Sequence, residues 1–242
     1  MSSCLSNQKL DVRYVMMNGA GDDEYDRLSL QLNPIERAQA SRFMLLKDRL
    51  AFSAGRVLVR KALSEYSIAP PGGWQFESNP YGKPMIIRSP GTPDLRFNIS
   101  HSTGIVVAAF SLGREIGVDV EYIEQKIDCL ELARAHFSSA EIELLEALPE
   151  QRQTDAFFAL WTLREAYAKA RGIGLSIAFS EFAFSLEPPA ISFSPQTAEK
   201  PDCWFFWQDQ PSSSHLLAVA AQRLPEEQLI CCKEQIGLRE LL

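Results

Sequence analysis

The chain has 242 residues, of which 46% are apolar, 10% aromatic and 23% charged, and 24 Lys and Arg against 31 Asp and Glu give a net charge of −7. That composition excludes a disordered or collagen-like chain, and the length accommodates one large domain or two small ones. The best apolar runs, residues 105–110 and 216–221, are strand-sized and fall well short of the roughly 20 residues a membrane helix needs. Residues 1–5 carry no basic stretch leading into an apolar one, so the expectation is a cytoplasmic protein with no membrane partner. Cys4, Cys129, Cys203, Cys231 and Cys232 contain no C-x-x-C pair and read as reduced, mostly structural thiols. His101, His136 and His215 are too scattered for a zinc site, and an acidic chain is a poor non-specific binder of nucleic acid.

In chain order, residues 10–17 read as a strand. Asn33-Pro34 followed by Glu36 marks a helix start, with Pro at the first helical position. Leu50, Ala51, Ala54, Val57, Leu58 and Ala62 recur at helical spacing and predict a helix over 48–66, ended by Pro70-Pro71-Gly72-Gly73. Asn79-Pro80-Tyr81-Gly82-Lys83-Pro84 and Pro90-Gly91-Thr92-Pro93 are turns. Residues 95–111 predict a hairpin turning at Thr103-Gly104, and 116–122 a further strand. Helices are expected at 130–137, at 139–148 with Ser139 as N-cap, and at 154–171, the last stopped by Gly172-Ile173-Gly174. Strands over 182–186, 203–208 and 215–221 close the chain. The order strand, helices, strands occurs twice. It predicts two similar α+β lobes, 1–112 and 113–242, with a site at their junction.

Several residues carry chemistry. On the strand Gly117-Val118-Asp119-Val120-Glu121, alternation puts Gly117, Asp119 and Glu121 on one face. Two adjacent carboxylates raise each other's pKa unless a cation sits between them, and oxygen ligands suit Mg²⁺; a solvated strand face is the simpler reading. Trp161, Glu165 and Lys169 stand at i, i+4 and i+8 on one helix face, which fits a surface ion pair or, if it meets the carboxylate strand, a third carboxylate and a proton donor. Phe97-Asn98-Ile99-Ser100-His101-Ser102 ends a strand with groups that bind phosphate, and Lys83 sits on a rigid turn. Between 42 and 61, Arg42, Lys47, Arg49, Arg56, Arg60 and Lys61 face the single acid Asp48, which suits either a solvated helix face or an anion site.

Taken together and in this order, Arg42-Phe43 through Arg60, N-P-Y-G-K-P at 79–84, F-N-I-S-H-S at 97–102, G-V-D-V-E at 117–121 and W-T-L-R-E-A-Y-A-K-A-R-G-I-G-L at 161–175 resemble the 4′-phosphopantetheinyl transferase superfamily. The likeness is to its longer, single-chain, surfactin-synthetase-activating (Sfp-type) branch. The resemblance implies a pseudo-dimer of two α+β lobes with the active site at the lobe interface. It implies transfer of the 4′-phosphopantetheinyl arm of coenzyme A to a serine of an apo acyl or peptidyl carrier protein, releasing 3′,5′-ADP. Such carriers serve fatty-acid, polyketide or nonribosomal-peptide biosynthesis. Asp119, Glu121 and Glu165 are then the ligands of Mg²⁺, for which Mn²⁺ can stand in. Glu165, Lys169 and His101 become the catalytic candidates; Arg42, Arg56, Lys83, Ser100, His101, Asp119 and Lys169 become contacts for coenzyme A. The built-in pseudo-dimer implies a monomer. Arg164 stands where the family has Lys, a departure that keeps charge but changes hydrogen bonding. A Mg²⁺-dependent phosphohydrolase or nucleotidyl transferase, and a non-catalytic coenzyme A or carrier binder, are the competing readings.

Overall fold

The structure, a computed structural model, describes residues 5–88, 91–174 and 181–242. Cys4, the Pro90 of the predicted turn and the Leu175 that ends the helix motif lie outside them. Helices and sheets are mixed, and the chain divides into two units: Met1–Gly113 with Ile230–Leu242, and Arg114–Leu229. A division at 112/113 gives the C-terminal residues to the second lobe, whereas the structure returns them to the first. The reason is a non-local pairing. Strand β11 (Ile230–Gln235) lies parallel to β1 (Lys9–Met16), from Lys9 opposite Ile230 to Tyr14 opposite Gln235.

In the first unit the sheet order is β11, β1, β5 (Ile105–Leu112), β4 (Leu95–Ser102), with β5 antiparallel to both neighbours. Three helices precede the β4–β5 hairpin: α1 (Asp22–Leu30), α2 (Pro34–Ala40) and α3 (Leu46–Glu65). Asn33 caps α2 as expected, its side chain accepting from the Glu36 N–H while Glu36 reaches back to the Asn33 N–H. Helix α3 buries Leu50, Ala54, Val57, Leu58 and Ala62 together with Val106, Ala108 and Phe110 of β5. Such burial supplies the main stabilisation, since each large apolar side chain contributes about 1.5–3 kcal/mol. Between α3 and β4, the short hairpin β2 (Phe76–Ser78) and β3 (Pro84–Ile86) carries the turn with Lys83.

The second unit is built around one long helix on an antiparallel sheet. The sheet order is β6 (Ile116–Tyr122), β10 (His215–Gln222), β9 (Trp204–Ser212). Helices α4 (Cys129–His136) and α5 (Ser139–Glu146) lead into α6 (Glu150–Arg171), and the hairpin β7 (Phe182–Leu186) and β8 (Pro189–Phe193) follows. The cap of α5 is Ser138 rather than Ser139, because Glu141, three residues after Ser138, completes its capping box. Gly172, at φ 65°, ends α6 in the left-handed conformation that glycine adopts without strain. The core here is aromatic: Tyr167 of α6 lies 4.8 Å from the Trp204 ring and 5.1 Å from that of Phe182. Among the described residues no helix is long and apolar enough to cross a membrane.

Candidate active site

The two expected stripes meet in the second unit. Register places Gly117 opposite Ala220 and Asp119 opposite Ala218, so the face of the sheet beneath α6 is made of small residues. From the helix, Ala166 and Ala170 come down onto the same core. Contact is so close that a Cβ on Gly117 would stand 2.0 Å from the Ala166 carbonyl oxygen and 2.3 Å from the Ala170 nitrogen. Gly117 therefore makes room not for a bulky ligand, as its place beside the carboxylates suggests, but for the helix backbone. Gly117→Ala is expected to cost about 1–3 kcal/mol or more, because backbone atoms have no rotamer with which to yield. A thermal melt superimposable on that of the unsubstituted protein would contradict this account of the packing.

That close approach aligns two ladders. Two residues along a strand advance about 6.8 Å, and four residues along a helix about 6.0 Å. Gly117, Asp119 and Glu121 thus climb past Ala170, then Lys169 and Glu165, then Trp161, nearly in step. The Lys169 Nζ donates to Asp119 Oδ1 at 2.5 Å. Burial raises the Glu121 carboxyl, and the Trp161 indole N–H, which can only donate, opposes that rise alongside Lys169. Along 161–170 only Trp161, Glu165 and Lys169 are half-buried, and every other residue is buried. The stripe is a partly sheltered polar face rather than a solvated one.

Its electrostatics follow from crowding. Burial, and next the charge of Asp119, push the Glu121 carboxyl up to about 7, against the pull of Lys169. Burial also raises the Glu165 carboxyl, opposed by Lys169 and reinforced by Asp119. Three coupled carboxylates with oxygen-only donors fit a hard divalent ion in chemistry. Among the described residues no three His, Cys, Asp or Glu side chains are gathered closely enough to hold a metal ion, and the cation beside Asp119 is the Lys169 ammonium.

Arg164 turns the other way. Its side chain is 2% exposed and pairs with the fully buried Glu141, while Nη2 donates to the His136 carbonyl at 3.3 Å. The guanidinium also covers the Phe182 ring at 4.5 Å and the Phe137 ring at 5.1 Å. Glu141 accepts in addition from the Phe184 N–H at 3.0 Å. Arg in place of Lys at 164 is thus a core residue, and its side chain is engaged with α5, β7 and the end of α4.

In the first unit the candidates are dispersed. A cavity of about 400 Å³ lies between the start of α3 and the β4–β5 turn, lined by Leu46, Lys47, Leu50, His101, Thr103 and Ile105 among others. Of the first unit's residues expected to contact coenzyme A, Arg42, Arg56, Lys83, Ser100 and His101, only His101 lines it. Ser100 is buried on the opposite face of β4, because successive strand residues alternate sides. Lys83 follows an Asx turn in which Asn79 Oδ1 accepts from the Tyr81 and Lys83 N–H groups, both at 2.9 Å. Arg42 is exposed between α2 and α3, and the Arg56 guanidinium covers the Phe52 ring at 5.2 Å. Burial lowers the Arg56 pKa.

The basic stretch resolves into separate duties. Arg60 is buried, held by Glu36 at 3.0 Å and donating to the Trp74 carbonyl at 2.6 Å. Lys61 donates to the carbonyls of Glu240 and Leu241, and Arg49 covers Tyr25. Lys47, at the cavity with His101, belongs to that stretch, and nothing in the charge count separates it from its neighbours.

Comparison with known proteins bears on both units. The model of the 4′-phosphopantetheinyl transferase superfamily matches residues 115–220, and that of the 4′-phosphopantetheinyl transferase N-terminal region matches 20–112. The 4′-phosphopantetheinyl transferase HetI of Nostoc sp. is 32% identical over 199 residues, 82% of each chain. The chain belongs to the 4′-phosphopantetheinyl transferase superfamily. The 4′-phosphopantetheinyl transferase Sfp of Bacillus subtilis is 30% identical over 215 residues, 88% of this chain and 93% of its own, which supports the Sfp-type branch. A human relative, L-aminoadipate-semialdehyde dehydrogenase-phosphopantetheinyl transferase, is 24% identical over 79% of this chain and 67% of its own. As a phosphopantetheinyl transferase, this chain is an enzyme. The superfamily model's match spans the whole Asp119, Glu121, Glu165 and Lys169 ladder.

Proposed function

We propose that this phosphopantetheinyl transferase moves the 4′-phosphopantetheinyl arm of coenzyme A onto a serine of an apo acyl or peptidyl carrier protein. The observation that carries the reading is the close meeting of β6 and α6 at Gly117, with Lys169 on Asp119. Asp119, Glu121 and Glu165 would hold Mg²⁺, or Mn²⁺ in its place. When bound, the ion supplies positive charge to the pyrophosphate of coenzyme A.

The serine Oγ forms a bond to the β-phosphorus as the bond from that phosphorus to the bridging oxygen breaks, and 3′,5′-ADP leaves. Glu165, its basicity raised by burial, takes the serine proton. Lys169, reaching out from Asp119, meets the negative charge that builds on the leaving phosphate. Positioning and charge neutralisation supply most of the rate, as in phosphoryl transfer generally. In the first unit, His101 and Lys47 at their shared cavity are proposed contacts for the phosphates of coenzyme A. Arg42, Arg56, Lys83 and Ser100 are proposed for the same role on the resemblance alone. A cytoplasmic monomer is the proposed setting.

Release of 3′,5′-ADP from coenzyme A and Mg²⁺ tests the reading. Product that accumulates only with an apo carrier protein present supports it. Carrier-independent turnover of coenzyme A would replace it with a metal-dependent phosphohydrolase.

A further inference from the structure

We infer that Arg114 and Glu227 are positioning residues for transfer, their ion pair tying together the two points at which the chain passes from one unit to the other. The inference rests on the proposed function, which draws on Lys47 and His101 of the first unit and on Glu165 and Lys169 of the second. The chain passes between the units twice, at 113/114 and again at 229/230. The first connection, from β5 to β6, holds residues 113–115, and the second, from β10 to β11, holds 223–229. Arg114 stands in one and Glu227 in the other. Arg114 Nη1 donates to Glu227 Oε2 at 2.9 Å and Nη2 to Oε1 at 2.8 Å. Nη1 also donates to the Gln222 carbonyl at 2.9 Å.

Several features set this pair apart from an ordinary surface ion pair. Its side chains are 11% and 15% exposed, and a sheltered fork-to-carboxylate pair fixes geometry as well as charge. Glu227 Oε2 also accepts from the Leu224 N–H at 3.0 Å, while the Glu227 N–H donates to the Leu224 carbonyl at 3.1 Å. Within that turn Glu226 takes φ 66°, a left-handed backbone that crowds a residue with a Cβ. In the first unit, the Gly113 N–H donates to the Asp94 carbonyl at 2.8 Å and the Ile230 N–H to the Gln8 carbonyl at 2.9 Å. Each crossing is thus anchored by a backbone hydrogen bond on the first unit's side, and the two are joined by side chains on the second's. Connections that move as one leave the units fewer relative motions than connections that move apart. Reacting groups drawn from both units gain from that restraint.

Glu227→Gln provides the test, since it keeps the shape of the side chain but offers one acceptor oxygen in place of two and no charge. In the full chain, with coenzyme A, Mg²⁺ and an apo carrier protein, it is expected to lose about ten-fold or more in kcat, because small misplacements of reacting groups are costly. Arg114→Lys keeps the charge without the fork and should fall between the two, which preserves the test if Glu227→Gln fails to fold. A second readout follows the units themselves. Spin labels carried by non-canonical residues at the exposed Met44 and Glu131, one in each unit, report a distance distribution by double electron–electron resonance. That distribution is expected to widen in Glu227→Gln. Equal widths in the unsubstituted protein and both variants would overturn the inference. A wider spread with unchanged kcat would overturn it too, since the restraint would then have no part in transfer. Failure of the unsubstituted protein to modify any carrier removes the functional reading and the positioning role with it, and the distances separate that failure from loss of the restraint.

Discussion

Glu165→Gln is expected to slow transfer by about 10²–10⁴-fold while leaving the thermal melt essentially unchanged. Glutamine keeps the size and shape of the side chain but cannot accept the serine proton. The change also removes one of three crowded negative charges, and Lys169 keeps its partner Asp119 at 2.5 Å, so no charge is stranded. The two readouts must therefore separate: activity falls and stability does not. A variant transferring at near-normal rates would remove Glu165 from the catalytic role, and a collapsed melt would make it structural instead.

Arg164→Met is expected to show the opposite pattern, with a loss of about 3–5 kcal/mol. Its partner Glu141 has a side chain that is 0% exposed and also binds Ser138 and the Phe184 N–H. Methionine fills much of the volume but leaves the Glu141 carboxylate buried without its counter-charge. For a chain of this size, that loss corresponds to a drop of roughly 10 °C in Tm. Two controls sharpen the result. Arg164→Lys keeps the charge and should lose less, and replacing both Arg164 and Glu141 with apolar residues should recover much of the deficit. An Arg164→Met protein that melts where the unsubstituted protein does would show that the pair contributes little.

What could be read from the amino-acid order, and what could not, divides on locality. The ladder of Asp119 and Glu121 against Trp161, Glu165 and Lys169 was legible because strand period two and helix period four each mark one face within a few residues. That the two faces meet rests on Gly117, Ala218 and Ala220, whose smallness only matters once α6 lies on them. Helix α1 gives little signal, since acidic residues fill its first turn and only Leu28 is buried. Strand β11 reads Ile-Cys-Cys-Lys-Glu-Gln with most positions exposed, and pairing with the distant β1 is what makes it a strand.

The basic stretch from 42 to 61 shows the limit of counting charge along the chain. A helix turns about 100° per residue, so neighbours in sequence point to different surroundings. Arg60 faces Glu36, Lys61 faces the C-terminal carbonyls, and Arg49 faces Tyr25, while Lys47 alone of these shares a cavity with His101. Ser100 and His101 separate for the corresponding reason on a strand. In each case the residue type was informative and its direction was not.

The most direct test of the central claim is the intact mass of an apo carrier protein incubated with this chain, coenzyme A and Mg²⁺. Across a panel of acyl and peptidyl carriers, the account predicts that at least one gains the mass of a single phosphopantetheinyl group, at its serine, and that the gain disappears when Mg²⁺ is chelated. Carriers that all keep their apo mass, with the chain folded and coenzyme A intact, would contradict it.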